Sequence, residues 1–308
     1  MTDIAVIVPV HNRRETTLVF LRQLRAAGVD GIDLKVIIVD DGSTDGTSEA
    51  VRRQDPEVTI LRGDGNLWWT GAVRKGAEYA LGRGHETLLI MNDDLELDKR
   101  FLAELLKVAR ANPDALISSI KLNRTKDGQE KIITAGSIAS GVLREVKVLH
   151  ADEPLREDLP EVLECDMLTG SSLLIRANVF QKIGMFDDKD CPQQHGDLDF
   201  TLRASRSGFR CLVATRSRIY TEYNPNSGDR YLVNSSRKDY FRNLFDRKKF
   251  SYGFKSIRDL SYMHKPFLLG TILYARRSLG LMKKIIMKAC LPNKALRMMV
   301  RGKSLSKK

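Results

Sequence analysis

The chain has 308 residues, of which 42% are hydrophobic and 29% are charged, an ordinary globular composition with room for one large domain and an appendage. The four cysteines form no Cys-x-x-Cys pair, which argues against a zinc site or a disulfide framework and favours reduced thiols. Residues 4–9, IAVIVP, follow the N-terminus without a basic stretch or a cleavage site, so no signal peptide is expected.

The charge is distributed unevenly along the chain, whose formal net charge is +12. Residues 247–308 contain 17 Lys and Arg residues and a single acid, Asp259, so this segment carries +16, whereas the first 246 residues carry −4. A strongly basic tail behind a slightly acidic body predicts an anionic partner, either nucleic acid or a membrane surface.

Apolar runs and helical patterns alternate through residues 1–100. The run at 4–10 is typical of a strand that is buried on both faces, and the leucines at 18, 21 and 24 have helical spacing up to Gly28. Read in this way, the sequence predicts strands at 4–10, from residue 35, at 58–61 and at 87–91, and helices at 14–27 and 71–81. Short connections between them predict parallel βαβ units, with a sheet covered by helices.

Three of these strands end in polar or acidic residues: His11-Asn12, Asp40-Asp41 and Asn92-Asp93-Asp94. Ligands of such sheets bind at the carboxyl ends of the strands, and parallel strands bring those ends to one edge. Adjacent carboxylates repel each other, and a divalent cation that carries a phosphorylated ligand would supply the counter-charge. The alternative is that these acids only cap the helices that follow them.

The residues that carry these patterns also carry a family resemblance. IAVIVPVHNR (4–13), VIIVDDGSTDGT (36–47) and LLIMNDDLELD (88–98) resemble the signature segments of family 2 glycosyltransferases, with Asn92 in the leading position of the Asp-x-Asp element. GDGNLWWTGAVRKGAEYAL (63–81) resembles the donor-side loop and helix of the rhamnosyltransferase-like branch. The resemblance implies a GT-A fold, an α/β architecture with a Rossmann-like nucleotide-binding half and helices on both faces of a mixed central sheet.

The resemblance also implies roles for donor-side residues. Asp41 would contact the base or ribose of a nucleotide sugar, Asp94 would bind Mg²⁺ or Mn²⁺ at the diphosphate, and Asp93 or Asn92 would lie near the ribose. A cation there would stabilise the negative charge that the leaving nucleotide gains. The remaining residues expected on the donor side are Pro9, Val10, His11, Asn66 and Gly71.

Two later segments, at 165–189 and 195–213, resemble the acceptor-side block of the family. Asp197 aligns with the general base, while Gly196 replaces the Glu that usually precedes it. One carboxylate suffices for an inverting displacement, because it takes the proton of the attacking hydroxyl. The alternative is that Asp197 caps a helix. Weaker acceptor-side candidates are Trp69, which could equally pack beneath its loop, and Gly170, His195 and Asp199.

The basic tail predicts an amphipathic helical extension. Residues 265–291 contain apolar stretches, but Arg276 and Arg277 interrupt them, so they are too short to span a bilayer. We expect a helix at a membrane interface. Lys283, Lys284 and Lys288 would contact anionic headgroups, and Leu279, Ile285 and Ile286 would insert shallowly. The alternative is a packed helical extension with a solvated basic face.

Together these patterns divide the chain into a catalytic domain at 1–228 and a basic extension at 229–308. Within the former, residues 1–100 would bind the nucleotide sugar and residues 101–228 the acceptor. The predicted function is inverting transfer of a sugar to a hydroxyl of a saccharide or lipid-linked acceptor, in cell-surface polysaccharide synthesis at the cytoplasmic face of the membrane. The alternatives are another nucleotide-sugar enzyme, such as a nucleotidyltransferase, and a nucleic-acid binder. No G-x-G-x-x-G follows the first strand, which argues against a dinucleotide oxidoreductase.

Overall fold

A computed structural model describes residues 3–125, 127–140, 145–221, 232–245, 253–262, 265–296 and 298–299 of the chain. The chain divides into two compact units, Met1–Tyr223 and Asn224–Lys308, and each is described by itself.

The first part of unit 1 has the predicted alternation of strands and helices. Its elements are β1 (Asp3–Val10), α1 (Arg14–Ala26), β2 (Asp33–Asp40), α2 (Thr47–Gln54), β3 (Thr59–Arg62), α3 (Trp68–Gly82) and β4 (Thr87–Met91). The pairs β1–β2, β2–β3 and β1–β4 are all parallel, so the prediction of parallel βαβ units is confirmed. All of these strand ends therefore lie at one edge of the sheet.

The second part of unit 1 completes a mixed sheet. Its elements are β5 (Glu96–Leu97), α4 (Phe101–Ala111), β6 (Ala115–Arg124), β7 (Glu130–Thr134), β8 (Ser137–Ser140), β9 (Glu145–Val148), β10 (Val162–Cys165), β11 (Ser172–Arg176), α5 (Ala177–Ile183), α6 (Gly196–Arg206) and β12 (Arg210–Tyr220). The strand order is β10-β12-β6-β11-β4-β1-β2-β3, with β5 paired to β12 and β7 to β6. Strand β11 is antiparallel to both β4 and β6, and so joins the two halves of the sheet.

Helices cover both faces of this sheet, which explains the apolar runs in its central strands β1, β2 and β4. Along β1, Ile4, Val6 and Val8 pack into one core together with residues of α1 and α4. Ala5 and Ile7 pack into the other core, with residues of α3, α5 and α6. Because successive side chains of a strand point to opposite faces, a strand between two helical layers has no solvent-facing side.

Unit 2 is helical where it is described, with α7 (Arg237–Asn243), α8 (Phe254–Tyr262) and α9 (Phe267–Cys290). Its small core contains Leu232, Tyr240, Leu244 and Leu281. None of the helices within the described residues is long and apolar enough to cross a membrane.

Two predictions for α9 are wrong. Lys288 does not face headgroups: it is fully buried, and its Nζ donates hydrogen bonds to Leu232 O at 2.6 Å, Ser235 O at 2.7 Å and Asn293 Oδ1 at 2.9 Å. These acceptors satisfy an ammonium group whose burial would otherwise be costly. Ile285 is partly buried and packs against the core of unit 2, so it is not free to insert into lipid.

Candidate active site

A cavity of about 330 Å³ lies at the carboxyl edge of β1, β2 and β4. Its lining brings together most of the predicted donor residues and one predicted acceptor residue: Pro9, Val10, His11, Asp41, Trp69, Asn92, Asp93 and Asp94. Trp68 and Gln193 also contribute to the wall. The topology thus gathers side chains that are separated by more than a hundred positions in the sequence.

Asp41 caps a helix that is distant in sequence. Its Oδ1 accepts hydrogen bonds from the backbone N–H groups of Gly65 at 2.8 Å and Leu67 at 3.2 Å, and its Oδ2 accepts one from Trp68 N–H at 2.9 Å. The N–H groups at the start of a helix have no partner within it, and a negative charge there is stabilised by the helix dipole. This contact explains why α3 begins at Trp68, three residues before the predicted start at Gly71.

Arg13 supplies a counter-charge that the sequence patterns did not reveal. Its Nη1 donates to Asp93 Oδ1 at 2.8 Å and lies 3.1 Å from Asp94 Oδ2. Asp93 is buried and also accepts a hydrogen bond from Thr17 Oγ1 at 2.9 Å. Burial raises the pKa of Asp93, and the contacts with Arg13 and Thr17 act against that rise. The two adjacent carboxylates are therefore held together by a protein cation.

Asp94 remains available to a ligand. Its side chain is 44% exposed on the cavity wall, whereas that of Asp93 is only 3% exposed. Within the described residues, no group of three or more His, Cys, Asp or Glu side chains is placed to hold a metal ion. Mg²⁺ is commonly bound by one or two carboxylates, with phosphate oxygens and water completing its shell. Asp94 therefore fits an ion that arrives with a diphosphate, and not an all-protein metal cage.

Trp69 connects residues predicted on the donor side with the segment predicted on the acceptor side. Its indole Nε1–H donates to Asn92 Oδ1 at 2.8 Å, and its backbone N–H donates to Gln193 Oε1 at 2.9 Å. The far edge of the indole lies against Gly170, where a Cβ would be 2.4 Å from Trp69 Cη2 and Cζ2. Gly170 is thus required for close approach, and the indole forms a fixed wall between the two sides.

Asp197 lies in the first turn of α6 and is partly exposed. Its Oδ2 accepts a hydrogen bond from Gly170 N–H at 2.8 Å, and its Oδ1 accepts one from Leu198 N–H at 2.9 Å. The helix cap position is occupied by His195, so Asp197 is not the N-cap residue. The neighbouring Gly196 is also explained by packing, because a Cβ there would lie 2.4 Å from Thr70 Oγ1. A glutamate in this place would collide with α3.

The other predicted residues have different surroundings. Asp199 is buried and forms a 2.9 Å ion pair with Arg203 on the same helix. Gly71 is buried within α3, and Asn66 is exposed on the preceding loop; neither contributes to the cavity lining. His195 adopts a left-handed backbone conformation, with φ of 68°, at the start of α6.

The model of the family described as "Glycosyl transferase family 2" matches residues 5–183, more than half of the chain. The chain belongs to this family. The low-salt glycan biosynthesis hexosyltransferase Agl10 of Haloferax volcanii is 26% identical over 173 residues, which are 55% of this chain and 53% of that protein. The chain thus spans about half the length of this curated relative.

Solved structures of similar fold include two glycosyltransferases. The mannosyltransferase PcManGT of Pyrobaculum calidifontis, solved in complex with GDP-Man and Mn²⁺, has a TM-score of 0.53 and 16% identity, with 99% of this chain and 80% of that chain covered. GalNAc-T7, solved with UDP, GalNAc and Mn²⁺, has a TM-score of 0.58 and 15% identity, with 99% and 58% covered. The predicted GT-A fold is therefore confirmed for this member of family 2.

Proposed function

We propose that this protein is an inverting glycosyltransferase that moves a sugar from a nucleotide-sugar donor to a hydroxyl of a saccharide or lipid-linked acceptor. The observation that carries the proposal is that the Trp69 indole touches the segments of two carboxylates, Asp94 and Asp197. Its Nε1–H binds Asn92, two residues before the exposed Asp94, and its far edge lies on Gly170, whose N–H binds Asp197. Family membership and the hexosyltransferase named among its relatives support it.

Asp197 is proposed as the general base. The hydrogen bonds from Gly170 and Leu198 engage one N–H for each carboxylate oxygen, and a carboxylate oxygen can accept more than one. Both oxygens thus keep acceptor capacity for the proton of an attacking hydroxyl. Gly170, Trp69 and His195 would shape the acceptor side. Asp199 would serve by holding Arg203 rather than by touching the acceptor.

Asp94 is proposed as the protein ligand of Mg²⁺ or Mn²⁺. When bound with the donor, the ion would supply positive charge at the leaving diphosphate. The Mn²⁺ in two structures of similar fold supports a divalent ion as the cofactor. His11, with its ring Nδ1 2.6 Å from Asp41 O, would form the wall beside the nucleotide together with Pro9, Val10, Asn92 and Asp93. Asn66 and Gly71 would act indirectly, through the loop and helix that carry Trp69.

The test is a screen of nucleotide sugars for nucleotide release with Mg²⁺ or Mn²⁺ present, in the presence and absence of saccharide acceptors. The proposal would be supported by sugar transfer with inversion of the anomeric configuration, measured by NMR of the product. The proposal would be contradicted if the protein released nucleotide from none of the sugar donors and bound no nucleoside diphosphate.

We further propose that α9 holds the protein on an anionic membrane at the cytoplasmic face, where a lipid-linked acceptor for cell-surface polysaccharide would reside. One side of α9 presents exposed apolar residues at helical spacing: Leu268, Ile272, Leu279, Met282 and Ile286. Arg276 and Lys283 are exposed beside this stripe. The helix contains no acidic residue, so its charge complements anionic lipid and disfavours a second copy of itself.

A further inference from the structure

A lysine on β6, Lys121, contacts the segment that binds both Asn92 and Asp197. Lys121 Nζ donates a hydrogen bond to Ser171 Oγ at 2.9 Å. Asp94 and Asp197 are the carboxylates whose charges act on this ammonium group. The segment around Ser171 touches both sides of the site, because Ser171 O accepts from Asn92 N–H at 3.4 Å and Gly170 N–H is bound by Asp197.

The surroundings of Lys121 are unusual for a residue with only a structural role. Within the part of the chain that the structure describes, Ser171 is its only hydrogen-bond partner, although an ammonium group carries several donors. Burial lowers the pKa of Lys121, and Asp94 and Asp197 act against this shift. Lys288, by contrast, is buried with a complete set of acceptors. Lys121 is partly exposed, and an ammonium group with three donors and this one acceptor retains N–H groups for a ligand.

We propose that Lys121 binds the phosphate group of the nucleotide donor that departs with the leaving nucleotide. This inference rests on the proposed function. The reacting sugar must lie between the base, Asp197, and the metal-side carboxylate, Asp94, and the leaving phosphate lies at the same junction. A fixed ammonium group there stabilises the charge that develops on that phosphate. Arg13 has a partly exposed side chain, so Lys121 and Arg13 together give this region two protein cations.

The proposed contact of Lys121 with the phosphate can be distinguished experimentally from the contribution of the metal ion. A nucleoside diphosphate would contact Lys121 even when no divalent ion is present, whereas Asp94 contributes only through the ion. The expected loss for Lys121→Met is about tenfold or more in diphosphate affinity, the scale of one hydrogen bond to a charged group. Affinity for the matching nucleoside, which has no phosphate, should stay within the measurement error.

The experiment measures binding of UDP, GDP and dTDP, and of uridine, guanosine and thymidine, through the fluorescence of Trp68 and Trp69, the only tryptophans and both on the cavity wall. It is run in chelator and in Mn²⁺ with the wild type, Lys121→Met, Ser171→Ala and Lys107→Met. Lys107→Met is the matched control, because Lys107 is an exposed residue of α4 paired with Glu161. Ser171→Ala removes the partner of Lys121 but keeps its charge.

We expect a diphosphate-specific loss of affinity in Lys121→Met in both conditions, a smaller loss of the same kind in Ser171→Ala, and affinities close to wild type in Lys107→Met. If Ser171→Ala and Lys121→Met lose affinity equally for nucleosides and diphosphates, Lys121 only supports the β11 segment and the inference is wrong. Unchanged diphosphate affinity in Lys121→Met would also overturn it, while leaving the proposed function intact. A wild type that binds none of the diphosphates would overturn both.

Discussion

The indole of Trp69 lies directly on Gly170, so that a side chain at position 170 would approach it to 2.4 Å. Trp69 belongs to α3 and Gly170 to the segment before β11, and the same indole binds Asn92 after β4. This contact fixes the distance between the segments that we propose for the donor side and the acceptor side. The width of the proposed active site is therefore set by the packing of one aromatic ring.

Replacing Gly170 by Ala should displace this ring. We expect a loss of about 1–3 kcal/mol in the free energy of unfolding, the usual cost of overpacking, and a shift in tryptophan emission as the Trp69–Asn92 hydrogen bond breaks. Chemical denaturation and fluorescence spectra measure both effects. Gly82→Ala is the control on α3, because a Cβ at Gly82 would meet no atom within 4 Å. Equal stability of the two variants would show that the indole is not held against Gly170.

Asp197→Asn should separate catalysis from binding. Asn is nearly the same size and its Oδ1 can still accept from Gly170 N–H, so that only the bond from Leu198 N–H is lost and the fold should be preserved. Turnover should fall by about a hundredfold or more, the scale for loss of a general base, with little change in nucleotide affinity. Asp199→Asn is the comparison. It should lower stability through loss of the Arg203 ion pair, with a smaller effect on turnover. If turnover instead fell by about a hundredfold in Asp199→Asn and only slightly in Asp197→Asn, Asp199 would be the general base.

Asp94→Asn should abolish the dependence of nucleotide binding on a divalent ion. The Arg13–Asp93 pair remains in this variant, so the melting temperature should change little. We expect transfer to fall by about a hundredfold, the scale for removal of one charge-stabilising group. Titration of Mn²⁺ in the presence of UDP or GDP measures the first effect, with Asp114→Asn as an exposed acid control. Wild-type transfer that continues unchanged in excess chelator would be incompatible with this role.

The membrane proposal predicts that the basic residues and the exposed apolar residues of α9 contribute separately to binding of anionic vesicles. Arg276→Gln with Lys283→Gln should weaken co-sedimentation with anionic vesicles by about tenfold or more at low salt, because each basic residue contributes about 1 kcal/mol near such a surface. Leu268→Ser with Leu279→Ser and Ile286→Ser should weaken binding at high salt as well, since it removes inserted apolar area.

Lys238→Gln controls for net charge, as Lys238 is exposed and belongs to α7 and not to α9. Point variants are preferable to truncation before α9, because Leu281 and Ile285 of that helix contribute to the core of unit 2. If the wild-type chain does not sediment with anionic vesicles at low salt, the exposed stripe serves another contact.

Much of the fold follows from patterns that are local in sequence. The apolar runs of β1, β2 and β4 and the short connections between them predict parallel βαβ units, because a strand covered on both faces needs no polar side. The same topology brings Asp41, Asn92 and Asp94 to one edge, as was expected from the strand ends. The family resemblance of these segments is confirmed by the match over residues 5–183.

The amino-acid sequence by itself thus determined the layered α/β sheet and the edge at which the site lies. The tertiary structure alone decided which partner each charged side chain has. Arg13 reaches Asp93 and Asp94 across 80 positions, and Asp41 caps a helix that begins 27 residues later. Lys288 is buried in unit 2 and does not face a membrane. The reason is physical: periodicity reports burial along a single element, whereas an ion pair or a cap depends on how distant elements pack against each other.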